Sequence, residues 1–372
     1  MISLIHIIAG LILLIYLMLI CVFYISLNKL NYIYDNHITK LKKPKVSLII
    51  AFRNEEQNLP SLIHDIKNQS YNLHEVLFIN DHSTDQGFEI IKNQLKNNPI
   101  LRLIDLDESH QGKKSALYYG AQQANGKILL FTDADCRLNP YWAETMLNTI
   151  VLNNSQFVAG PVDFIERKGI FHGIQNLEFL SLIGSTAGGF AAGIPFMCNG
   201  ANLAVNREIY FECVNKYGEK FTSGDDVFLL HKIKKQYKVS FCNNTNAIVK
   251  TLPQTNLKNF LQQRIRWASK AIGYQDTVSL LISLLLLATN LLLIAILILS
   301  IIDYRHLLMF SILFSIKALI DILFMSKVLK FFNKRYLIKY IALLQVFYPF
   351  YIVITGFMSI IIKPKWKGRK IS

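Results

Sequence analysis

The sequence predicts a membrane protein that carries one α/β domain with a mainly parallel central sheet. Three observations support this fold class. Long apolar stretches lie at both ends of the chain, strand and helix patterns alternate between them, and those strands are almost continuously apolar. The length of 372 residues suits one such domain together with membrane segments.

The N-terminal segment, residues 1–27, is predicted to be a transmembrane anchor. Ile2–Ser26 is apolar, no Lys or Arg precedes it, and no small-residue cleavage site follows it, which favours a retained anchor over a cleaved signal peptide. Lys29 and three more lysines within the next 14 residues follow the anchor. The positive-inside rule therefore predicts that the residues after the anchor lie in the cytoplasm, and the inner membrane of a bacterium is the expected location.

Residues 45–270 alternate between short β-branched runs and longer helical patterns, which predicts the α/β domain. The predicted strands are Val46–Phe52, Glu75–Asn80, Leu101–Leu106 and Ile128–Thr132. The predicted helices are Glu55–Gln69, Gln86–Asn97 and Lys113–Gln123. The apolar, glycine-containing stretch Phe179–Phe196 is interpreted as a flexible part of this domain near the membrane, with a buried core segment as the alternative.

The C-terminal region, residues 277–363, predicts two to three further membrane spans, with candidates at Val278–Ile302, Leu307–Met325 and Ile341–Ile362. Lys317 and Asp321 lie four residues apart in the second candidate and are predicted to pair. The tail, residues 364–372, is basic. If every candidate crossed, this tail would lie outside the cytoplasm, against the positive-inside rule, so the sequence leaves the number of crossings open.

The net charge of +15 constrains the partners. Much of the basic charge lies near the apolar stretches, so an anionic membrane surface and a phosphate-bearing substrate fit this charge better than nucleic acid. The five cysteines form no C-x-x-C pair, and neither a disulfide framework nor a zinc site is expected.

Asp133 and Asp135 give the strongest chemical signal. They follow an apolar strand, and the carboxyl ends of parallel strands are where open α/β sheets bind ligands. Two carboxylates there can hold Mg²⁺ or Mn²⁺, which prefers oxygen ligands and commonly keeps substrate phosphates in its shell. The sequence therefore predicts a divalent cation that binds a diphosphate.

Polar residues at two other strand ends and at one helix start are candidates for binding a nucleotide and its diphosphate. Arg53 and Glu55 follow the first predicted strand, and Asp81 follows the second, so these groups could bind a base or a ribose. Lys113 opens a helix, whose N-terminus suits a diphosphate. Neighbouring acidic residues, such as Glu56, could simply favour the first turn of a helix.

Two further motifs lie towards the end of the domain. Asp225 and Asp226 precede an apolar helical run, where they could cap the helix or supply a general base. Gln263, Arg266 and Trp267 lie on a basic amphipathic helix, which could be an interfacial helix or could add a phosphate clamp and a stacking surface.

The order of these motifs resembles membrane-bound family 2 glycosyltransferases over roughly Lys45 to Lys270. The motifs are V-S-L-I-I-A-F-R-N-E-E, F-I-N-D-H-S-T-D, G-K-K-S-A-L, D-A-D, N-G-A-N, G-D-D-x-x-L and Q-R-I-R-W. The resemblance implies a GT-A fold, a metal-dependent reaction and inversion at the anomeric carbon. It also implies nucleotide contacts at Ala51, Arg53, Glu55, Asp81 and Asp133, a metal ligand at Asp135, and a base at Asp226.

The same resemblance assigns the acceptor side. Asn199, Gly200 and Asn202 would face the acceptor, and Gln263, Arg266 and Trp267 match Q-x-x-R-W of polysaccharide synthases and lipid glycosyltransferases. Four candidate spans are few for a polymer channel, so we expect transfer of one sugar from a nucleotide-diphosphate donor, a UDP-sugar by preference, to a lipid or lipid-linked hydroxyl. The alternatives are a processive polysaccharide synthase, a non-catalytic sugar-nucleotide-binding protein and a nucleotidyltransferase.

Overall fold

The computed structural model describes residues 4–30, 44–214, 225–362, 365–366 and 369–370, and it divides the chain into two compact units. The sheet unit comprises Leu30–Ile165 and Met197–Leu252. The helical unit comprises Met1–Lys29, Glu166–Phe196 and Pro253–Ser372. Residues 166–196 and 253–270 thus group with the apolar helices, although they fall within the predicted 45–270 domain, whose boundaries stay a prediction.

The sheet unit contains nine described strands in two sheets. Their bounds are β1 Val46–Phe52, β2 Glu75–Asn80, β3 Leu101–Asp105, β4 Ile128–Phe131, β5 Phe157–Ala159, β6 Val162–Phe164, β7 Leu203–Asn206, β8 Val239–Phe241 and β9 Val249–Thr251. The main sheet has the order β3-β2-β1-β4-β7-β5-β8, and β6 pairs with β9 in a small parallel sheet. The predicted α/β fold with a mainly parallel sheet is confirmed.

One strand of the main sheet runs against its neighbours. β7 is antiparallel to both β4 and β5, whereas β3, β2, β1 and β4 are parallel, as are β5 and β8. Leu203 at the start of β7 lies opposite Phe131 at the end of β4. The residues that lead into β7 therefore lie beside those that follow β4.

Helices cover the sheet and bury its apolar strands. Their bounds in the sheet unit are α2 Leu59–Lys67, α3 Gly87–Leu95, α4 Lys113–Gln123, α5 Trp142–Asn153, α7 Arg207–Val214 and α8 Asp225–Ile233. Every residue of β2 and β4 is buried, as expected for strands covered on both faces. α2 begins four residues after the predicted start at Glu55, because residues 55–58 form a turn in which the Asn58 amide donates to the Glu55 carboxylate at 2.6 Å.

The helical unit contains α1 Leu4–Ser26, α6 Ile170–Ala191, α9 Leu257–Ser269, α10 Thr277–Ile302, α11 Arg305–Phe331 and α12 Ile341–Ile361. Among the described residues, four helical segments are long and apolar enough to cross a membrane: Ile5–Lys29, Thr277–Ile302, Arg305–Phe331 and Arg335–Ile361. They include the predicted N-terminal anchor and the three predicted C-terminal candidates.

The stretch expected to be flexible, Phe179–Phe196, is instead mostly helical and belongs to α6. Its glycines allow neighbouring helices to approach closely. A Cβ added to Gly184 would lie 2.4 Å from Val328 Cγ2, and one added to Gly188 would lie 2.7 Å from Phe23 Cβ. Packing against small residues, which a single sequence does not reveal, therefore fixes this helix.

The predicted pairing of Lys317 with Asp321 is confirmed, at 2.7 Å between Nζ and Oδ2. Gln345 on α12 accepts from Lys317 at 3.2 Å and donates to Asp321 at 2.8 Å. The Tyr16 hydroxyl on α1 donates to the other Asp321 oxygen at 2.7 Å. Charged groups inside an apolar helical bundle are thus compensated by one another, as burial requires.

Candidate active site

The predicted donor-binding loops meet at one edge of the sheet. β1, β2 and β4 are parallel, with Phe52 opposite Asn80 and Ile49 opposite Phe131, so their carboxyl ends lie side by side. The backbone N–H of Asp81 donates to the Phe52 carbonyl at 2.9 Å, which joins the loops after β1 and β2 directly.

Side chains fasten these first two loops to each other. Asn54, whose φ of 53° lies in the left-handed region, donates its N–H to the Ser83 hydroxyl at 3.2 Å and accepts the Thr84 N–H at 2.8 Å. The Glu56 N–H donates to Asp85 at 2.8 Å. These bonds give the neighbours of Arg53 and Glu55 a local structural role. That role differs from the expected one, because α2 begins at Leu59 and Glu56 therefore lies before its first turn.

Asp81 and Lys113 connect the start of α4 to two strand ends. Asp81 is buried, and its Oδ1 accepts the Gly112 N–H at 3.1 Å. Gly112 has a φ of 89°, a conformation that disfavours any residue with a Cβ. The Lys113 ammonium group forms an ion pair with the Asp133 carboxylate. The helix N-terminus therefore lies beside the loop after β4.

The carboxylate of Asp135 is partly buried and lies near two other carboxylates. Burial and the nearby carboxylates of Asp133 and Glu55 raise the pKa of Asp135 to about 6, although Lys113 and a 3.2 Å hydrogen bond from the Thr251 hydroxyl oppose this shift. Negative charge is thus concentrated at the end of β4, with Glu55 supplied from the end of β1.

This donor set fits a hard divalent cation. Asp133 and Asp135 offer oxygen ligands only, and a cation beside them would relieve the repulsion that raises the pKa of Asp135. No cluster of three or more His, Cys, Asp or Glu ligands occurs in the described part of the chain. Waters and substrate phosphates are common further ligands of Mg²⁺ in proteins.

The loop after β4 is also held by an ion pair and a backbone hydrogen bond of Arg137. Arg137 forms a two-pronged salt bridge with the buried Asp65, at 2.6 and 2.8 Å, and its N–H donates to the Lys250 carbonyl at 2.7 Å. Two-pronged guanidinium–carboxylate pairs fix geometry as well as charge. Thr251, which follows Lys250, bonds Asp135 and was not found by sequence reasoning. Its only signal was a threonine at the end of a short β-branched run.

Asp226 lies beside the same sheet edge. Its two carboxylate oxygens accept the N–H groups of Gly200 and Val227, both at 2.9 Å. Thr132, the first residue after β4, donates its hydroxyl to the Ala201 carbonyl at 2.9 Å. Residues 199–202 therefore connect the candidate base to the loop that carries Asp133 and Asp135, although the two motifs lie about 90 residues apart in sequence.

The predicted acceptor residues differ in exposure. Asn199 and Gly200 are partly exposed, and the Asn199 carboxamide accepts the Ala201 N–H at 3.0 Å. Asn202 is fully buried, donates to the carbonyls of Pro161 and Ala247 at 2.8 Å each, and accepts from the Trp142 indole at 2.9 Å. Asn202 thus stabilises this loop through its buried hydrogen bonds.

Two further predicted groups lie on helices α8 and α9. α8 begins at Asp225, but the side chain of Asp225 and residues 215–224 lie outside the described part of the chain. Gln263, Arg266 and Trp267 lie on α9, in the helical unit.

In the helical unit, Arg264 organises the Q-x-x-R-W segment. Its guanidinium bonds the buried Glu178 carboxylate at 3.0 and 3.1 Å, donates to the Gln263 side chain, and lies 4.6 Å from the Phe260 ring centroid and 4.3 Å from that of Trp267. Sequence reasoning missed this residue. Its only signal was a second arginine between Gln263 and Arg266.

Comparisons with known proteins give a family match and several relatives. Residues 47–214 match the family described as Glycosyl transferase family 2. The glycosyltransferase AglE of Haloferax volcanii is 30% identical over 34% of this chain and 42% of that protein. The cholesterol galactosyltransferase of Borreliella burgdorferi is 23% identical over 54% of this chain and 59% of that protein. The chain thus covers less than two thirds of the length of either relative.

A solved structure extends the likeness to the fold. The mannosyltransferase PcManGT from Pyrobaculum calidifontis, in complex with GDP-Man and Mn²⁺, matches 92% of this chain and 99% of that chain, with a TM-score of 0.56 and 17% identity. At this identity the likeness shows the fold alone. The sheet topology, the solved structure and the family match lead to one conclusion: the fold is GT-A-like, and residues 47–214 match a family 2 glycosyltransferase domain.

Proposed function

We propose that this protein transfers a sugar from a nucleotide-diphosphate donor to a hydroxyl of a lipid or lipid-linked acceptor, with inversion of configuration. A UDP-sugar is the expected donor. The catalytic domain is proposed to lie on the cytoplasmic side of a membrane, because basic residues follow the first apolar helix.

The observation that carries this proposal is the loop 199–202. It bonds the Asp226 carboxylate through Gly200 and the residue before the D-A-D motif through Ala201. A carboxylate suited to proton abstraction and a carboxylate pair suited to a cation–diphosphate complex therefore belong to one local network. That combination is what a displacement at an anomeric carbon requires.

For donor binding, we assign the nucleoside to the loops after β1 and β2. Asp81 is held by the Gly112 N–H, and Arg53 and Glu55 lie in a turn fixed by the Asn54 bonds. Ala51, near the end of β1, is partly exposed next to this turn. A fixed loop loses little conformational entropy when it binds a ligand, which favours affinity.

For the diphosphate, Lys113 is the candidate cationic partner from the protein. In the structure its ammonium pairs with Asp133, so donor phosphates would share that ammonium group. A divalent cation held by Asp135 and Asp133 would stabilise the negative charge of the departing nucleoside diphosphate. PcManGT, whose structure is a complex with Mn²⁺ and GDP-Man, supports a cation and a sugar nucleotide for this fold.

For transfer, Asp226 is the proposed base. The N–H bonds from Gly200 and Val227 orient its carboxylate, and a carboxylate is a suitable group to take the proton of the acceptor hydroxyl. The acceptor oxygen would then attack the anomeric carbon as the nucleoside diphosphate leaves from the opposite face, which inverts that centre. Asn199 and Gly200 are the proposed acceptor contacts, together with Gln263, Arg266 and Trp267, while Asn202 supports their loop.

A donor screen tests the proposal. The purified protein is incubated with radiolabelled UDP- and GDP-sugars, a bacterial lipid extract and Mg²⁺ or Mn²⁺. We expect one sugar to enter the lipid phase, with release of one nucleoside diphosphate per transfer. Label in a long water-soluble polymer would instead indicate a processive synthase, label from the nucleotide on the product would indicate a nucleotidyltransferase, and donor binding without release would indicate a binding protein.

A further inference from the structure

We infer that α12 lies along the membrane rather than across it, so that the chain crosses the bilayer three times and its C-terminus returns to the side of the sheet unit. α12 is long and apolar enough to cross, so its composition does not decide the question. The contacts of α12 with the other helices decide whether it crosses, because each contact fixes how deep one residue of α12 lies in the membrane.

Depth is measured from one end of the bundle formed by α1, α10 and α11, namely the end against which α6 packs. This end is the reference level. Gly184 of α6 meets Val328, three residues before the end of α11, and Gly188 meets Phe23, three residues before the end of α1. α6 thus lies across the ends of both helices. Depth can be counted from this level at about 1.5 Å per residue for helices that run towards the opposite side.

The bundle ends are level with one another. The Lys327 ammonium donates to the Tyr24 carbonyl at 2.7 Å, which places the ends of α11 and α1 side by side. The Ser279 hydroxyl, at the start of α10, donates to the Phe196 carbonyl at 2.8 Å, and the Phe196 ring stacks on Phe23 at 5.8 Å. α10 therefore begins at the same level.

The second turn of α12, which contains Gln345, is already well inside the bundle. Gln345 donates to Asp321 at 2.8 Å, and the Tyr16 hydroxyl donates to the same carboxylate at 2.7 Å. Asp321 lies seven residues before Val328, and Tyr16 lies seven residues before Phe23. Both counts give Gln345 a depth of about 10 Å from the reference level.

The last part of α12 lies at nearly the same depth. A Cβ added to Gly356 would lie 3.3 Å from Leu287 Cδ1, and Leu287 lies eight residues after Ser279, which corresponds to a depth of about 12 Å. From Gln345 to Gly356 the helix rises by about 16 Å, yet its depth changes by about 2 Å. A helix that crosses the membrane would change its depth by most of that rise.

The middle of α12 agrees with this orientation. The Tyr351 hydroxyl donates to Glu178 at 3.0 Å, and Glu178 is a residue of α6, which defines the reference level. If α12 ran away from α6, Tyr351 would lie about 9 Å deeper than Gln345 and out of reach of Glu178. The lipid-facing side chains form one apolar stripe along the helix, which includes Phe347, Ile354 and Ile361.

Three crossings also satisfy the charge rule that four crossings violate. The short turn between α10 and α11 contains Asp303 and Arg305, whose charges cancel. The C-terminal tail carries an excess of Lys and Arg, as do the residues after α1. With α12 in the plane of the membrane, both basic segments lie on one side and the neutral turn lies on the other, as the positive-inside rule expects.

The orientation can be measured with matched labels on two helices. Single cysteines seven residues apart replace the lipid-facing Leu284, Leu291 and Ile298 of α10, or Phe347, Ile354 and Ile361 of α12, in a Cys21→Ala background. Each variant is spin-labelled in liposomes, and its depth is obtained from the accessibility to oxygen and to a water-soluble nickel complex. The Cys21→Ala protein without an added cysteine controls for the four buried cysteines.

We expect the α10 labels to differ in depth by about 10 Å per step, because seven residues rise by that distance. The three α12 labels should agree within about 3 Å, since a depth change of about 2 Å between Gln345 and Gly356 scales to about 2.5 Å between the outer labels. Steps of about 10 Å along α12 would overturn the inference.

Sidedness gives an independent test. Asn97→Cys marks the sheet unit, Tyr304→Cys marks the α10–α11 turn, and Ser372→Cys marks the C-terminus, each labelled with a membrane-impermeant maleimide in sealed vesicles of known orientation. Positions 97 and 372 should label from one side and position 304 from the other. Labelling of 372 together with 304, or of 304 together with 97, would contradict three crossings. Neither test depends on enzymatic activity.

Discussion

Replacing Arg264 by methionine is expected to destabilise the protein strongly. The side chains of Arg264 and Glu178 are each only 3% exposed, and the guanidinium lies between the rings of Phe260 and Trp267. Methionine fills a similar volume but leaves the Glu178 carboxylate buried without its counter-charge. Removal of one partner from a buried ion pair costs about 3–5 kcal/mol, and lost cation–π contacts add to that.

The assay is equilibrium unfolding in detergent micelles, followed by tryptophan fluorescence and by circular dichroism. The matched control is Arg305→Met, because Arg305 pairs with Asp303 at the surface, where its side chain is 77% exposed. That variant should unfold close to the parent, since solvent-exposed pairs contribute little. The double variant Arg264→Met with Glu178→Leu should recover most of the lost stability, because no buried charge is left uncompensated.

The reasoning would be refuted if Arg264→Met unfolded at the same denaturant concentration as Arg305→Met. It would also be refuted if the double variant were as unstable as the two single variants combined, since that outcome would show independent packing effects rather than a charge pair. Arg264 also bonds Gln263 and stacks on Trp267. If Arg264→Met stayed as stable as the parent but transferred less sugar, the stability argument would be wrong and Arg264 would instead be a positioning residue for the Q-x-x-R-W segment.

Three further predictions concern the sheet unit. Burial raises the pKa of Glu75, but hydrogen bonds, including one from Arg102, outweigh this effect and hold the pKa below 4.5. The ionised Glu75 therefore stabilises the folded protein fully above pH 4.5, and this stabilisation is lost as the pH falls through the lower pKa of the folded state. Glu75→Gln should therefore lower the urea midpoint more at pH 7 than at pH 3, and an equal loss at both would contradict this. Gly112→Ala should cost about 1–3 kcal/mol in urea unfolding, because its φ is 89°, and should weaken donor binding in calorimetry by disturbing the bond to Asp81; unchanged stability would contradict the strain. EDTA should abolish transfer, and Asp135→Asn should raise the Mn²⁺ concentration for half-maximal activity by about 10–100-fold or more; an unchanged Mn²⁺ titration would remove Asp135 from metal binding.

Local sequence patterns predicted much of the sheet. β1 and β2 have the predicted bounds, because each is mostly apolar and is followed by polar, turn-forming residues. α4 also has its predicted bounds, whereas α2 starts later than expected, since residues 55–58 form a turn that the Asn58–Glu55 hydrogen bond stabilises. The positions of Asp81 and Asp133 at strand ends followed from the same patterns.

Contacts between distant parts of the chain could not be predicted in this way. The antiparallel β7 lies between β4 and β5, and this insertion brings residues 199–202 beside the D-A-D loop. Thr251 reaches Asp135 from a strand 116 residues away, and Glu178 reaches Arg264 across 86 residues. Such pairings depend on tertiary packing, which local periodicity does not encode.

The proposed function depends most on Asp226 as the base, and a comparison of Asp226→Asn with the parent tests this assignment directly. Donor affinity, from calorimetry with the sugar nucleotide and Mn²⁺, should stay unchanged, while kcat for transfer should fall by about 10²–10⁴-fold, the contribution of a general base. Glu89→Gln, a surface carboxylate that is 53% exposed, should retain parental values of both. A kcat for Asp226→Asn near that of the parent would contradict the account.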